Sequence, residues 1–130
     1  MRTLVIGLGR FGLPLARTLA KRGWEVIGID SSASAVDRAK DVLPFCAKVD
    51  AMDEQSLREV IGKGVDLGVV AIGNDFQSAV LAVTLLKDMG VTAALTHNRL
   101  FADVDRAIEW AEDRLLLNVA GDTEVGDEFP

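Results

Sequence analysis

Three glycines near the amino end carry the first chemical signal. Gly7, Gly9 and Gly12 stand in the spacing G-x-G-x-x-G, within Gly7-Leu8-Gly9-Arg10-Phe11-Gly12. The short apolar run Thr3-Leu4-Val5-Ile6 precedes them, and Phe11, Leu15, Thr18 and Leu19 follow at the spacing of one helix face. In that setting each glycine has a task. Gly7 permits a tight turn, Gly9 lets the backbone approach a pyrophosphate, and Gly12 lets the helix pack closely on the strand before it. The free N–H groups and positive end of such a helix attract phosphate.

A second signal agrees with the first. Asp30 ends the apolar run Glu25-Val26-Ile27-Gly28-Ile29 and lies 18 residues beyond Gly12. A carboxylate there accepts hydrogen bonds from the ribose of an adenine nucleotide and repels a 2′-phosphate, so NADP is disfavoured. A helix-capping role for Asp30 is the competing assignment, and Ser31 or Ser32 can cap the helix that follows. Asp50, after the run Phe45 to Val49, suits an adenine-side turn or a solvated one. Gly73, Asn74 and Asp75 end another apolar run and can line the second half of a site or simply cap a helix. Arg10 can fold over phosphates, reach those of a neighbouring subunit, or stand as an exposed cation. The expected ligand contacts are therefore Gly7, Leu8, Gly9, Arg10, Phe11, Gly12, Asp30, Ser31, Asp50, Ala51, Ile72, Gly73 and Asn74.

Other chemistry is thinly represented. The chain has no tyrosine, one histidine and one cysteine. His97 stands near a strand end, where a structural role or a minor ligand contact is the usual one. Cys46 lies between Phe45 and Ala47 and suits a small core residue. No His/Cys cluster has metal-ligand spacing. No catalytic residue and no metal site is expected.

The elements that must position these residues alternate. Strands at Thr3–Ile6, Glu25–Ile29, Phe45–Val49, Leu67–Ile72, Val91–Leu95 and Arg114–Asn118 are interleaved with helices. Gly23 and Gly90 stand where glycine ends a helix, and Asp53 and Asn74 or Asp75 stand where helices start. This order predicts an α/β, Rossmann-type, doubly wound parallel sheet of six strands, order 3-2-1-4-5-6, with helices on both faces. Pro14 falls in or just beyond the first turn of the first helix, later than the first helical position where proline is best placed.

Composition bounds the rest. A chain of 130 residues, 49% hydrophobic, suits one domain with a real core. The single cysteine suits a reducing, cytoplasmic compartment. No signal peptide and no membrane-length apolar run is visible. The net charge is −6. Asp122, Glu124, Asp127 and Glu128 give residues 119–130 a charge of −4, leaving −2 for residues 1–118. The division expected is a nucleotide-binding domain at 1–118 and an acidic tail at 119–130, flexible or the stub of a longer chain. No basic face is evident that would serve nucleic acid. Phe101 and Trp110 add to the core stripe of the helix Leu100–Ala111, and they predict self-association.

The segments Val5 to Gly12, Gly28-Ile29-Asp30, Val49 to Glu54 and Val70 to Asp75 resemble the RCK, or TrkA-N-type, nucleotide-binding domain. The resemblance is good from Thr3 to about Val91. It implies a regulatory domain that binds ATP, ADP or NAD(H) and assembles as a homodimer or larger ring. Its partner would be the membrane subunit of a potassium transporter or channel, at the inner face of the plasma membrane. Carried over, Arg10 matches an arginine reaching terminal phosphates, Asp30 the ribose acid, and Asp50 and Ala51 the adenine-side turn. Met52 departs from the small hydroxyl residue common there. The alternative is the cofactor half of an NAD-dependent oxidoreductase, and a third possibility is an energy or redox sensor for another partner. Fold alone does not choose among them.

Overall fold

A computed structural model of the chain describes residues 2–62, 64–72 and 76–95. Nine elements alternate along it: β1 (Arg2–Ile6), α1 (Gly12–Lys21), β2 (Glu25–Asp30), α2 (Ala33–Ala39), β3 (Phe45–Lys48), α3 (Glu54–Ile61), β4 (Leu67–Val70), α4 (Phe76–Asp88) and β5 (Thr92–Leu95). The five strands form one parallel sheet in the order β3-β2-β1-β4-β5. That is the doubly wound arrangement, with β1 at its centre between β2 and β4. The expected strand Arg114–Asn118, the helix Leu100–Ala111, His97 and the tail 119–130 lie outside the described residues.

Alternation along β1 explains why both faces are covered. Val5 points into a core with Leu15, Ala16 and Leu19 of α1 and Ala35 and Ala39 of α2. Leu4 and Ile6 point the other way, into a core with Leu57 and Ile61 of α3 and Ala79, Ala82, Val83 and Leu86 of α4. Leu4, Val5 and Val70 are fully buried. A strand buried on both faces reads as a continuous apolar run, which is how β1 and β4 read. Burying one such side chain contributes about 1.5–3 kcal/mol.

Helix ends follow the local sequence. Ser32, rather than Ser31, caps α2 by accepting from the Ala35 N–H, and Asp53 caps α3 by accepting from Gln55 and Ser56. Gly23 and Gly90 take positive φ just after α1 and α4. Pro14 is the third residue of α1, inside the first turn, where its missing N–H has no intrahelical partner to lose. At the amino edge of the sheet the Arg2 guanidinium bonds the Glu25 carboxylate at 3.0 Å. That hydrogen bond, and then the positive charge itself, holds the Glu25 carboxyl below the usual range.

The strand ends differ from expectation by one or two residues. β4 stops at Val70, and β3 stops at Lys48. β1 ends at Ile6, opposite Val70, so among the described residues Ala71 and Ile72 have no ladder partner beyond the Ala71 N–H donating to the Ile6 carbonyl.

Candidate functional site

The carboxyl ends of β1, β2, β3 and β4 open onto one cleft of about 350 Å³. That is the place where doubly wound sheets hold ligands, and the size is at the low end for small-molecule sites. Its walls come from Gly7 and Gly9 of the loop, Asp30 and Ser31 after β2, Val49 to Met52 after β3, and Ala71 and Ile72 after β4.

The loop that enters the cleft is fixed by close approaches. The Gly7 N–H donates to the Ile29 carbonyl at 2.8 Å, and Gly7 has φ +99°. A Cβ there would meet the Ala71 carbonyl oxygen at 2.7 Å, so conformation and space both demand glycine. Gly12 is demanded by contact alone: a Cβ on it would run into the Gly7 carbonyl oxygen and lie 3.2 Å from the Ala71 Cβ. The helix is thus held against the loop and the end of β4. Gly9 is different. A Cβ on Gly9 would meet nothing within 4 Å. No packing within the described residues requires glycine there, and Gly9 borders both this cleft and a neighbouring groove.

Asp30 ties the loop to β2. One carboxylate oxygen accepts the Leu8 N–H at 2.8 Å, and the other accepts the Ser32 N–H at 2.8 Å. Asp30 thus organises the approach to α2, whose cap is Ser32, and it stands half-buried in the cleft wall. Each carboxylate oxygen has lone-pair capacity beyond one N–H, so ribose hydroxyls can still donate to it. Asp50 accepts the Met52 N–H at 2.9 Å, and its carbonyl accepts from Asp53 at 3.0 Å. The resulting turn places Ala51, which is buried, and Met52 at the cleft floor. Unlike α2 and α3, α1 has no side-chain cap at its amino end.

The predicted contacts divide into groups. Gly7, Gly9, Asp30, Ser31, Asp50, Ala51 and Ile72 line the cleft. Leu8 is buried beneath the loop and Phe11 packs against the core beside α1, so neither side chain faces it. Gly12 acts through packing. Arg10 is exposed and borders a neighbouring groove with Arg17, Lys21 and Arg38. Gly73, Asn74 and Asp75 lie outside the described residues. Ile6, Val49, Met52, Ala71 and Ser78 also line the cleft and were not predicted. Val49 was legible as the residue before Asp50. Ser78 was not, because it enters from the first turn of α4 and depends on how that helix crosses the sheet.

Comparison with known proteins places this geometry. The TrkA-N domain family matches residues 3–117. Ktr system potassium uptake protein C of Bacillus subtilis (strain 168) is 33% identical over 87 residues, 67% of this chain and 39% of that protein. GDP-mannose 6-dehydrogenase of Pseudomonas syringae pv. syringae is 32% identical over 85 residues, 65% of this chain but 18% of that enzyme. The chain thus spans about two fifths or less of these relatives. Among solved structures, the TrkA-N domain of inner membrane protein ybaL from Escherichia coli superposes with a TM-score of 0.61 at 17% identity, covering 91% of this chain and 95% of that one. The NAD(P)-binding domain of an exopolyphosphatase-related protein from Archaeoglobus fulgidus gives 0.65 at 19%, covering 93% and 98%. Both likenesses show a Rossmann-like fold.

Proposed function

The chain belongs to the TrkA-N domain family, and from that premise we propose that it is a regulatory domain that binds an adenine nucleotide in the cleft. The nucleotide is ATP, ADP or NAD(H) rather than NADP. Its identity is passed to the membrane subunit of a potassium transporter or channel, on which the domain sits at the cytoplasmic face as a homodimer or larger ring. One observation carries the binding step: Gly9 leaves open space between an uncapped helix end and a carboxylate that ends the next strand. In this reading phosphates lie over Gly7 and Gly9, the ribose hydroxyls bond Asp30, and the adenine rests by Asp50, Ala51 and Met52. The likeness to a Ktr potassium uptake protein supports the partner.

The likeness to a GDP-mannose dehydrogenase favours a second reading, the cofactor half of an oxidoreductase. The cleft itself argues for the first. Its titratable side chains among the described residues are Asp30 and Asp50, and both hold backbone N–H groups. A regulatory domain needs no acid or base. It needs a nucleotide that binds one conformation better than another, and coupling of about 1–3 kcal/mol changes activity several-fold or more. Arg10, exposed at the rim, is the residue placed to sense an added terminal phosphate. Potassium flux through a reconstituted transporter with the full-length subunit tests this. Flux should differ among ATP, ADP and NADH and lose that difference in Arg10→Ala. Equal flux under all three nucleotides in the unaltered protein refutes it, and hydride transfer in the same preparation favours the second reading.

A further inference from the structure

Charge is segregated along this acidic chain. Residues 1–24 hold five cations and no Asp or Glu, so the remaining 106 residues carry −11. The fold concentrates this further. Arg17 and Lys21 stand one turn apart on α1, Arg10 lies in the turn just before that helix, and Arg38 faces them from α2. Together they border a groove of about 600 Å³, larger than the nucleotide cleft. All four are exposed, and none has an ion-pair partner among the described residues. The helical rise separates Arg17 from Lys21 by about 6 Å, and Arg10 and Arg38 extend the row beyond that. Four cations spread over such a row match an extended polyanion rather than a single phosphate.

We infer that the acidic segment 119–130 of the same chain lies along this groove, with its carboxylates against Arg10, Arg17, Lys21 and Arg38. Charge and reach both match. Asp122, Glu124, Asp127 and Glu128 supply four anions with no cation among them. Extended, Asp122 to Glu128 spans about 20 Å. The whole segment reaches about 40 Å, against a radius of gyration near 14 Å for a domain of this size.

Tethering selects this occupant over a free one. An exposed ion pair shifts an equilibrium by less than about tenfold, so four of them are weak against the entropy of bringing two molecules together. A segment on the same chain is present at an effective concentration of about millimolar, without that cost. A free nucleic acid or an anionic membrane must also approach a protein of net charge −6, which repels it.

The test uses the full chain with Cys46→Ala and Gly126→Cys, a spin label on the new thiol, and nuclear magnetic resonance without nucleotide. At low salt the label should broaden amides of residues 15–22 and 38–41 several-fold more than those of α3 and α4. The broadening should vanish in 0.5 M NaCl, where the Debye length falls to a few ångströms. It should also vanish in Arg17→Glu/Lys21→Glu, and when Asp122, Glu124, Asp127 and Glu128 are all replaced by their amides. Absent or uniform broadening at low salt overturns the proposal, as does broadening that survives the charge reversals. Broadening of the same amides in isotope-labelled, spin-free chains mixed with spin-labelled chains assigns the groove to a second copy and overturns the same-chain assignment. In the unlabelled wild-type chain, salt should shift the α1 and α2 amides; if it leaves them in place, the inference fails by a route that needs no variant. Because no nucleotide is present, failure here leaves the nucleotide cleft untouched.

Discussion

Replacing Gly9 with valine should separate ligand binding from folding, because the structure gives Gly9 no neighbour to disturb. A Cβ at that position meets nothing within 4 Å, so Gly9→Val should change stability by no more than about 0.5 kcal/mol, as for an ordinary surface substitution. The two added methyl groups would, however, occupy the space proposed for the pyrophosphate. Thermal shift reads both effects. A nucleotide at 100 times its Kd adds about 2.7 kcal/mol to a site that binds it. For a domain of this size that is roughly 10 °C in Tm. Wild type should show the full shift, and Gly9→Val should show the wild-type Tm without ligand and no shift with it. Gly12→Ala is the contrasting case. Its Cβ runs into the Gly7 carbonyl oxygen, a backbone atom that cannot swing aside. It should cost about 3 kcal/mol or more, at the upper end of overpacking, and lower Tm before any ligand is added. A Gly9→Val protein that keeps the full ligand shift would refute the placement of phosphate over this loop. A Gly12→Ala protein as stable as wild type would refute the packing argument.

Four further outcomes follow from the same geometry. Asp30→Ala should lower stability by about 1–3 kcal/mol, because the Leu8 N–H on a buried residue loses its acceptor, and it should weaken nucleotide binding as well; urea unfolding with and without ligand separates the two. NADP should bind far more weakly than NAD, since Asp30 repels a 2′-phosphate, and comparable affinities by competition would sink that role. Glu25→Gln should lower Tm slightly at neutral pH. The carboxyl is held below its usual range by Arg2, so its contribution is present above the unfolded value and lost as pH falls through the folded one; a difference in Tm that persists in acid contradicts this. Light scattering with nucleotide present should find at least a dimer, and a strict monomer at high concentration counts against assembly.

The glycine loop, Asp30 and the alternation of strands and helices were legible because each is written in local spacing. Gly7 and Gly12 obey contacts a few residues away or on the adjoining strand, and Asp30 acts within reach of Leu8 and Ser32. The strand ends were less legible. β4 reads as apolar through Ile72, but it stops where its partner β1 stops, at the Ile6–Val70 pair, and no property of Ala71 or Ile72 announces that. The cleft floor was half legible: Asp50 was read from the turn and Ala51 from the family resemblance, whereas Met52 drew notice only as a departure. The basic groove went unread because its fourth cation, Arg38, is supplied by α2, and because the charge of the whole chain hides a local excess of the opposite sign.

Isothermal titration calorimetry of the purified chain against ATP, ADP, AMP, NAD⁺, NADH and NADP⁺ tests the central claim most directly, with Gly9→Val measured alongside. The account predicts saturable binding of one equivalent for at least one of the 2′-unphosphorylated nucleotides, weakest binding for NADP⁺, and no heat of binding in the variant. Binding of none of the six, or binding that Gly9→Val leaves unchanged, would contradict it.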